Sequence, residues 1–304
     1  MSAELGVAVM AYGTPPTPAD VEAYYTHIRR GNAPTPAQLA DLVARYDAIG
    51  GISPLAQRTE AQRATLATAL EARAPGRCRV VLGQKHAAPF IEDAVGTLAA
   101  EGIESIVGLV LAPHFSAFSV GQYQDRLATA AAERGIRATG IASWHLEPAY
   151  LAFLAAAVRD ARAPMPERTK VLFTAHSLPE RVLVDDPYPD QLRQSAAAVA
   201  EAAGLDRWAG WALGWQSAGR TPEPWRGPDI LEIIRDLAAT GAADGVLVCP
   251  QGFVSDHLEV VYDLDIEAQK VADEVGLAFA RTRVLNADAA VLGALADRVL
   301  AAAP

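Results

Sequence analysis

Three carboxylates follow one another at four-residue intervals near the C-terminal end of the chain. Glu259, Asp263 and Glu267 lie in the stretch CPQGFVSDHLEVVYDLDIEAQ, after a turn that contains Pro250 and Gly252. Residues four apart in a helix lie on nearly the same face, so the spacing predicts one acidic line. Like charges repel unless cations offset them, and carboxylates and imidazoles are good ligands for divalent metals. We therefore predict a line of metal ligands, with a solvated acidic face as the alternative.

A histidine at the end of a predicted strand is the second candidate. His176 lies in the sequence TAHSLP, and residues of loops that follow strands are often exposed to ligands. Imidazole can bind a divalent metal or accept a proton near neutral pH. We predict that His176 and Glu259 form the catalytic pair, while a capping or packing role for His176 is the alternative. Asp263 and Glu267 are outer ligands or a solvated face, and His257 is a ligand or the cap of the turn.

Candidate anion-binding groups lie in the first half of the chain. Arg45 and Tyr46 precede a Gly-Gly turn and Ser53. A guanidinium fork beside a hydroxyl and a glycine turn suits recognition of a carboxylate. Residues 119–123 offer similar contacts. Arg29 and Arg30 end the first predicted helix, where cations are favourable, and this explanation is sufficient for one of the two.

Eight short apolar runs rich in β-forming residues alternate with helical patterns. Strands with continuous rather than alternating apolar residues, separated by helices, predict parallel sheets that are covered on both faces. Capping boxes are expected at Thr17 and Thr35, and Gly31 is expected to end the first helix. The predicted strands are Leu5–Ala11, Arg79–Gly83, Ser105–Ala112, Arg137–Ala142, Lys170–Ala175, Ala209–Trp215, Gly245–Cys249 and Gly276–Ala280.

The eight strands form two similar sets of four. Strands one and five end in MAYGTP and TAHSLP, strands two and six in LGQKHAAPF and LGWQSAGRTPEPW, and strands three and seven in APHFSAFS and CPQGFVSDH. Ligands of open α/β sheets bind beyond the carboxyl ends of the strands. We therefore expect two similar α/β domains, 1–148 and 149–286, with a cleft between them and with Tyr12 opposite His176. The helix at 287–304 is expected to pack on the first domain.

Composition narrows the class of protein. The 304 residues are 51% hydrophobic and carry a net charge of −10, which argues against nucleic acid as the main partner. The longest apolar run, Ala149–Val158, is too short to span a bilayer, and no basic region precedes the first apolar run as in a signal peptide. Cys78 and Cys249 lack the spacing of zinc or iron–sulfur ligands. A cytoplasmic protein is expected. The absence of a GxGxxG or phosphate-loop motif argues against a nucleotide-dependent transferase.

Several segments together resemble one family of enzymes. AYGTP, YYTHIRRG, RYDAIGGISPL, GQKHAAPF, TAHSLP, GWQSAGRTPEPW and CPQGFVSDHLEVVYDLDIEA resemble the ferrochelatases, in order and over nearly the whole chain. The resemblance is closest to the short bacterial type that acts on coproporphyrin III. It implies two Rossmann-like domains, each a four-stranded parallel sheet flanked by helices, with a porphyrin cleft between them.

The resemblance also implies roles for individual residues. His176 and Glu259 match the metal-site histidine and glutamate, and Asp263 and Glu267 match an acidic line on a helix that is locally widened to π form. Tyr12 matches the residue found on the iron of bound coprohaem, on the face opposite the histidine. The positions that match the propionate-binding residues are Arg29, Arg45, Tyr46, Ser53 and Tyr123.

The implied activity is that of a lyase of haem biosynthesis. It inserts Fe²⁺, a substrate, into coproporphyrin III with release of two protons. No tightly bound cofactor is expected, and no iron–sulfur cluster, because the extra cysteines of cluster-containing relatives are missing. The expected partners are the porphyrin and ferrous iron, with a transient handover to other haem-pathway enzymes, and a monomer is expected. The alternatives are a protoporphyrin IX ferrochelatase and a non-catalytic carrier of tetrapyrrole or metal.

Overall fold

The chain divides into two compact units. The structure, a computed structural model, describes residues 3–206, 209–219 and 221–303, so Arg220 of the GWQSAGRTPEPW motif lies outside the described residues. The first unit comprises Met1–Ala112, Phe118–Ser143 and Asn286–Pro304, and the second comprises Pro113–Ala117 and Trp144–Leu285. The bounds differ by a few residues from the ranges 1–148 and 149–286 expected from the sequence.

Each unit contains one four-stranded parallel sheet. The sheets have the strand orders β2-β1-β3-β4 and β6-β5-β7-β8, and every pairing is parallel. The same order in both units is what the internal repeat predicts, and the predicted fold class of two such sheets flanked by helices is confirmed. The strands are β1 Leu5–Ala11, β2 Cys78–Gln84, β3 Ser105–Val110, β4 Arg137–Ile141, β5 Thr169–His176, β6 Trp211–Gln216, β7 Gly245–Cys249 and β8 Ala278–Arg281.

Helices connect the strands in both units. The α-helices are α1 Val21–Ile28, α2 Pro36–Ala48, α3 Leu55–Arg73, α4 Ile91–Ala100, α5 Gln122–Ala132, α6 Pro148–Arg162, α7 Tyr188–Ala202, α8 Ile230–Ala239, α9 Leu258–Tyr262, α10 Gln269–Val275 and α11 Ala289–Ala302. Two π-helices, Ala117–Gly121 and Asp263–Ala268, follow the third strand of their sheets. In the described part of the chain, none of the helices combines the length and apolarity needed to cross a membrane.

The helix ends follow the predicted capping chemistry. The Gln38 backbone N–H donates to the Thr35 hydroxyl (3.3 Å), and the Thr35 N–H donates to the Gln38 side chain (3.0 Å), so α2 begins with a capping box. Gly31 has φ +87° and its N–H bonds to the Thr26 carbonyl, which ends α1. The C-terminal helix α11 belongs to the first unit, where Asp297 pairs with Arg73 of α3 (2.6 Å).

A buried apolar cluster fixes the acidic segment of the second unit. Val260, Leu264 and Ala268 are fully buried and belong to the same core as Val246 and Val248 of β7. The apolar side of the segment that runs from α9 through the π-helix is therefore held against the sheet. That side cannot turn outward without exposing apolar surface. The rotation of the segment about its axis is therefore fixed, and with it the direction of the acidic side chains.

The turn after β7 approaches β5 closely at Gly252, and a substitution at this glycine tests the approach. A Cβ at Gly252 would lie 2.8 Å from the Ala175 Cα, next to His176, whereas a Cβ at Gly96 of α4 would meet nothing closer than 3.9 Å. We expect Gly252→Ala to lower the free energy of unfolding by about 1–3 kcal/mol through overpacking. The control Gly96→Ala should leave it unchanged or raise it by up to about 1 kcal/mol. Urea unfolding measures both, and equal effects would contradict the close approach.

Candidate active site

The last residue of β5 and the second residue of α9 form an ion pair. His176 Nε2 lies 3.6 Å from Glu259 Oε1, and the two side chains are 35% and 42% exposed. His176 Nδ1 donates to the Ser177 carbonyl, so the ring is oriented with Nε2 toward the carboxylate. The Tyr188 hydroxyl donates to the His176 carbonyl (3.3 Å) and ties α7 to the end of the strand. The sequence-based pairing of His176 with Glu259 is thus present as a direct contact.

Opposing effects set the protonation of this histidine. Burial alone would lower the pKa of His176, but the charge of Glu259 at 3.6 Å, the Ser177 carbonyl and the charge of Asp263 raise the pKa to about 9. At neutral pH the ring is therefore an imidazolium whose Nε2–H faces Glu259. A metal ion or a substrate proton can use Nε2 only after that proton has left.

Two contacts position Glu259. The His257 Nδ1 accepts from the Glu259 backbone N–H (3.0 Å), and His257 is the N-cap of α9, so the capping interpretation of His257 is confirmed. The Gln216 side chain donates to the Glu259 carbonyl (3.1 Å) and accepts from the buried Thr174 hydroxyl (2.8 Å). A chain of hydrogen bonds therefore runs from the interior of β5 to the first turn of α9. Gln216 belongs to the motif LGWQSAGRTPEPW at the end of β6, but the sequence gives no signal of this bridging role.

The helix changes from α to π between Tyr262 and Asp263, as the resemblance implied. Asp263 is 7% exposed and accepts from the Ser217 hydroxyl (2.5 Å), whereas Glu267 is only partly buried. Ser217 has φ +60°, a conformation that is uncommon and strained for a non-glycine residue. The acidic segment is thus not α-helical throughout, and the expectation that the three acids share one face stays a prediction. Asp263 is buried while Glu267 is only partly buried, so the two acids differ in their exposure to solvent.

The structure joins two of the four predicted metal ligands directly. Among residues 3–206, 209–219 and 221–303, no group of three or more His, Cys, Asp or Glu side chains is spaced to hold a metal ion. Asp263 contributes to the pKa of His176 through its charge, and Glu267 lies further along the π-helix. The ligand set of His176, Glu259, Asp263 and Glu267 stays a prediction.

In the first unit, aromatic rings surround the end of β1. Tyr12 is 43% exposed, and its ring lies 4.6 Å from the ring of His86, centroid to centroid. His86 Nδ1 is 3.0 Å from His27 Nδ1. Burial, with the charges of Lys85 and His27, lowers the pKa of His86 to about 3, so this ring is neutral at physiological pH. Tyr12 therefore has an exposed ring beside the neutral ring of His86.

A partly buried lysine lies at the end of β2. Burial, together with Arg126 and Arg30, lowers the pKa of Lys85 to about 8. Its Nζ donates to Gln122 (2.6 Å) and lies 5.1 Å from the Tyr123 ring centre. Tyr123 is 4% exposed and its pKa is raised by burial, so its hydroxyl stays neutral and able to donate to a carboxylate. The sequence places Lys85 at a strand end, but it was not among the predicted site residues.

The two predicted propionate-binding arginines lie near the ends of α1 and α2. Arg29 Nε donates to the Asn32 carbonyl (3.1 Å), and an open hollow with a volume of 480 Å³ is lined by Ile28, Arg29, Arg30 and Asn32. Arg45 pairs with Asp41 one turn earlier in α2 (3.3 Å). Both arginines therefore already have protein partners, and a ligand carboxylate would compete with or supplement them.

Two further predicted substrate-binding residues are buried. Tyr46 is 3% exposed, and its hydroxyl lies 3.4 Å from the Thr14 hydroxyl, close to the end of β1. Ser53 is 6% exposed and its hydroxyl accepts from the Leu55 N–H (3.2 Å), where α3 begins. These contacts give each residue a structural role, and their contact with a substrate stays a prediction.

Comparison with known proteins assigns the chain to a family. The family model described as ferrochelatase matches residues 4–303. A coproporphyrin III ferrochelatase of Anoxybacillus flavithermus is 46% identical over 303 residues, covering 97% of this chain and 95% of that protein. A coproporphyrin III ferrochelatase of Bacillus subtilis is 46% identical over 305 residues, covering 98% and 97%.

Solved structures with lower identity share the fold. SirB from Bacillus subtilis with Fe³⁺ gives a TM-score of 0.60 at 11% identity, with coverage of 99% of this chain and 96% of that chain. CbiX, described as the terminal enzyme of sirohaem biosynthesis in denitrifying bacteria, gives 0.55 at 17% identity, with coverage of 98% and 99%. At these identities the likeness concerns the fold alone.

The ion pair leads to a prediction about the pKa of His176. Glu259→Gln removes the charge that outweighs burial, so the pKa of His176 should fall from about 9 to its ordinary value of 6.5 or lower. NMR of histidine ring carbons over pH 5–10 measures it, and the resonance is assigned as the one lost in His176→Gln. The control Glu267→Gln should change the pKa little. An unchanged pKa in Glu259→Gln would contradict the assigned cause.

The same shift predicts how stability varies with pH. The pKa of His176 is raised in the folded state, so the pair contributes fully below pH 6.5 and its contribution is lost as the pH rises through about 9. Relative to wild type, Glu259→Gln should therefore be less stable at pH 6, and the difference should shrink by pH 10. Denaturant unfolding at both pH values measures this, and a difference that grows with pH would contradict the sign.

Proposed function

Because the chain belongs to the ferrochelatase family, we propose that it inserts ferrous iron into coproporphyrin III, giving coprohaem and two protons. The observation that carries the proposal is the match to coproporphyrin III ferrochelatases over nearly the whole chain. The pairing of His176 with Glu259 at the carboxyl end of β5 supports it, because ligands of open α/β sheets bind at that end. Iron and porphyrin are both substrates of this metal chelatase.

The chemical problem is the planarity of the macrocycle. Four nitrogens in one plane cannot all reach an approaching metal ion while two of them carry protons. An enzyme that binds the ring bent exposes the nitrogen lone pairs on one face and favours the transition state over the flat product. The protein must therefore hold the ring by its periphery, bring iron to one face and accept two protons.

His176 and Glu259 serve the iron and proton steps. With a pKa of about 9, neutral His176 is a stronger base than an ordinary histidine, but only about 1% of it is neutral at pH 7. A ferrous ion that binds Glu259 offsets the charge that raises this pKa. Iron arrival therefore releases the resting proton and leaves Nε2 free to bind the metal or accept a pyrrole proton.

Asp263 and Glu267 extend the ligand set along the π-helix. Carboxylates are suitable ligands for divalent iron, and each added negative charge raises the local concentration of cations. Asp263 is buried and held by Ser217, so it supplies a fixed charge, while Glu267 is more accessible. We assign Asp263 to holding iron beside Glu259 and Glu267 to its capture from solvent.

Residues of the first unit hold the porphyrin. Arg29 and Arg45 provide guanidinium groups for propionates, and the neutral hydroxyl of Tyr123 provides a donor. Tyr12 has an exposed phenol and contacts the ring itself. Tyr46 and Ser53 contribute only where the substrate reaches their buried hydroxyls.

Removal of the imidazole tests the catalytic assignment. We expect His176→Ala to lower the rate of anaerobic Fe²⁺ insertion by about 10²–10⁴-fold, the usual effect of losing a proton-transfer group. Coproporphyrin III should still bind, as measured by quenching of its fluorescence. The control His145→Ala removes a partly buried histidine that contacts Gln194 in the same unit and should retain activity. Near-wild-type turnover by His176→Ala would exclude the role, and binding without turnover by wild type would indicate a carrier.

The choice of porphyrin tests the substrate assignment. Coproporphyrin III has two propionates where protoporphyrin IX has vinyl groups, and a hydrogen bond to a charged group contributes about 1.5–3 kcal/mol, less when solvent screens it. We therefore expect kcat/KM to favour coproporphyrin III by at least about tenfold.

Arginine variants locate the source of that preference. Arg45→Ala should reduce it, whereas Arg63→Ala, which removes a similar helical ion pair with Glu60 in the same unit, should not. The assay measures turnover of both porphyrins in matched detergent. Equal turnover of coproporphyrin III and protoporphyrin IX by the wild type would contradict the substrate assignment, while the assignment as a ferrochelatase would remain.

A further inference from the structure

A basic residue at the end of β8 contacts the acidic π-helix from the side. Arg281 Nε lies 2.5 Å from Asp265 Oδ1, and Nη2 lies 2.9 Å from Asp265 Oδ2, which is the bidentate geometry of a guanidinium and a carboxylate. Nη2 also forms an ion pair with Asp256 Oδ1 (3.1 Å). Asp265 is the third residue of the π-helix, and Asp256 precedes the cap of α9. Arg281, Asp256 and Asp265 are called the Arg281 clamp below.

Burial distinguishes this clamp from an ordinary surface ion pair. The side chains of Arg281 and Asp256 are 19% and 18% exposed, and that of Asp265 is 39% exposed. Two residues further along, Arg283 pairs with Asp160 through side chains that are 51% and 70% exposed. Exposed pairs contribute little because solvent screens them, whereas the Arg281–Asp256 pair is largely shielded and the two-point contact fixes Asp265 relative to Arg281. The two arginines therefore form a matched comparison within one segment.

The contact position matters because a π-helix has an alternative register. A π turn contains one more residue than an α turn, and such turns are rare and concentrated at functional sites. Return to α-helical hydrogen bonding would rotate the residues on one side of the turn by about 100° relative to those on the other. Asp265 lies between Asp263 and Glu267, so its contact with β8 holds the middle of this turn.

The clamp and the core hold different sides of the same segment. Leu264 and Ala268 are fully buried against the sheet, and Asp265 points instead to Arg281. Asp256 extends the contact to the loop that leads into α9, where Glu259 begins the acidic series. One guanidinium is thus connected to both the start of the acidic segment and its π turn.

We propose that Arg281 is a positioning residue for iron: it holds the π-helix in the register in which Asp263 and Glu267 follow Glu259, without itself contacting iron or porphyrin. The expected effect on iron insertion rests on the proposed function, whereas the stabilisation of the π-helix by Arg281 does not. Loss of the clamp disturbs the carboxylates that receive iron but none of the residues assigned to the propionates, which belong to the first unit. The expected signature is therefore a defect toward iron and not toward porphyrin.

Arg281→Lys tests the proposal in the full chain. Lysine keeps the positive charge but lacks the planar fork, so it cannot bind Asp265 at two points and reach Asp256. Arg283→Lys is the control, since it changes the exposed pair with Asp160. We expect amide hydrogen exchange of residues 263–268 to be at least about tenfold faster in Arg281→Lys and unchanged in the control. Asp265→Asn, which keeps the shape of the partner side chain, should show the same acceleration.

Kinetics of iron insertion provide the second readout. In Arg281→Lys, kcat/KM for Fe²⁺ should fall at least about tenfold, with KM for coproporphyrin III within about twofold of wild type. Unchanged exchange at 263–268 in Arg281→Lys and Asp265→Asn overturns the clamp. Faster exchange with unchanged iron kinetics, or with an equal loss toward porphyrin, overturns the positioning role. If the wild type does not insert iron, both the proposed function and the positioning role are refuted. Amide hydrogen exchange of residues 263–268 then still decides whether the clamp holds the π-helix.

Discussion

The attraction between the His176 ring and the Glu259 carboxylate is the interaction on which the site depends. It joins the end of β5 to the start of α9, and it outweighs the burial that would otherwise keep the ring neutral. Two hydrogen bonds fix its geometry. The His176 ring donates to the Ser177 carbonyl, and the His257 ring accepts from the Glu259 backbone N–H at the start of α9. The surrounding hydrogen bonds therefore fix where the two charges lie, and the charges set the acid–base chemistry.

Much of the fold could be predicted from the sequence because its signals are local and repeated. Apolar strand runs, capping boxes and glycine helix ends report on neighbours a few residues away, and the internal repeat predicted the same strand order in both sheets. The strand limits were less accurate. β8 was predicted from Gly276, but that residue has φ +75° and ends α10, so the strand begins at Ala278. A glycine next to an apolar run does not by itself distinguish a helix end from a strand start.

The site was predictable to a different extent. His176 and Glu259 occur in motifs at the ends of predicted elements, and their pairing follows from parallel topology. No local pattern reports the strained backbone of Ser217 or the contact of Arg281 with Asp265, which lies 16 residues earlier in the chain. The depressed pKa of His86 likewise arises from burial beside Lys85, which is a tertiary property. Sequence therefore located the reactive groups better than the groups that orient them.

The effect of the four-residue acidic spacing depends on the surroundings of each carboxylate. On an exposed α-helix, three like charges would share one solvated face, and mutual repulsion would be their main effect. Here the three acids lie in different environments: Glu259 is paired with His176, Asp263 is buried beside the Ser217 hydroxyl, and Glu267 is only partly buried. Each environment offsets a different part of the repulsion, so the acids need not be neutralised together. Under the proposed function, this difference between the three environments suits passage of iron toward His176 better than permanent retention of the metal.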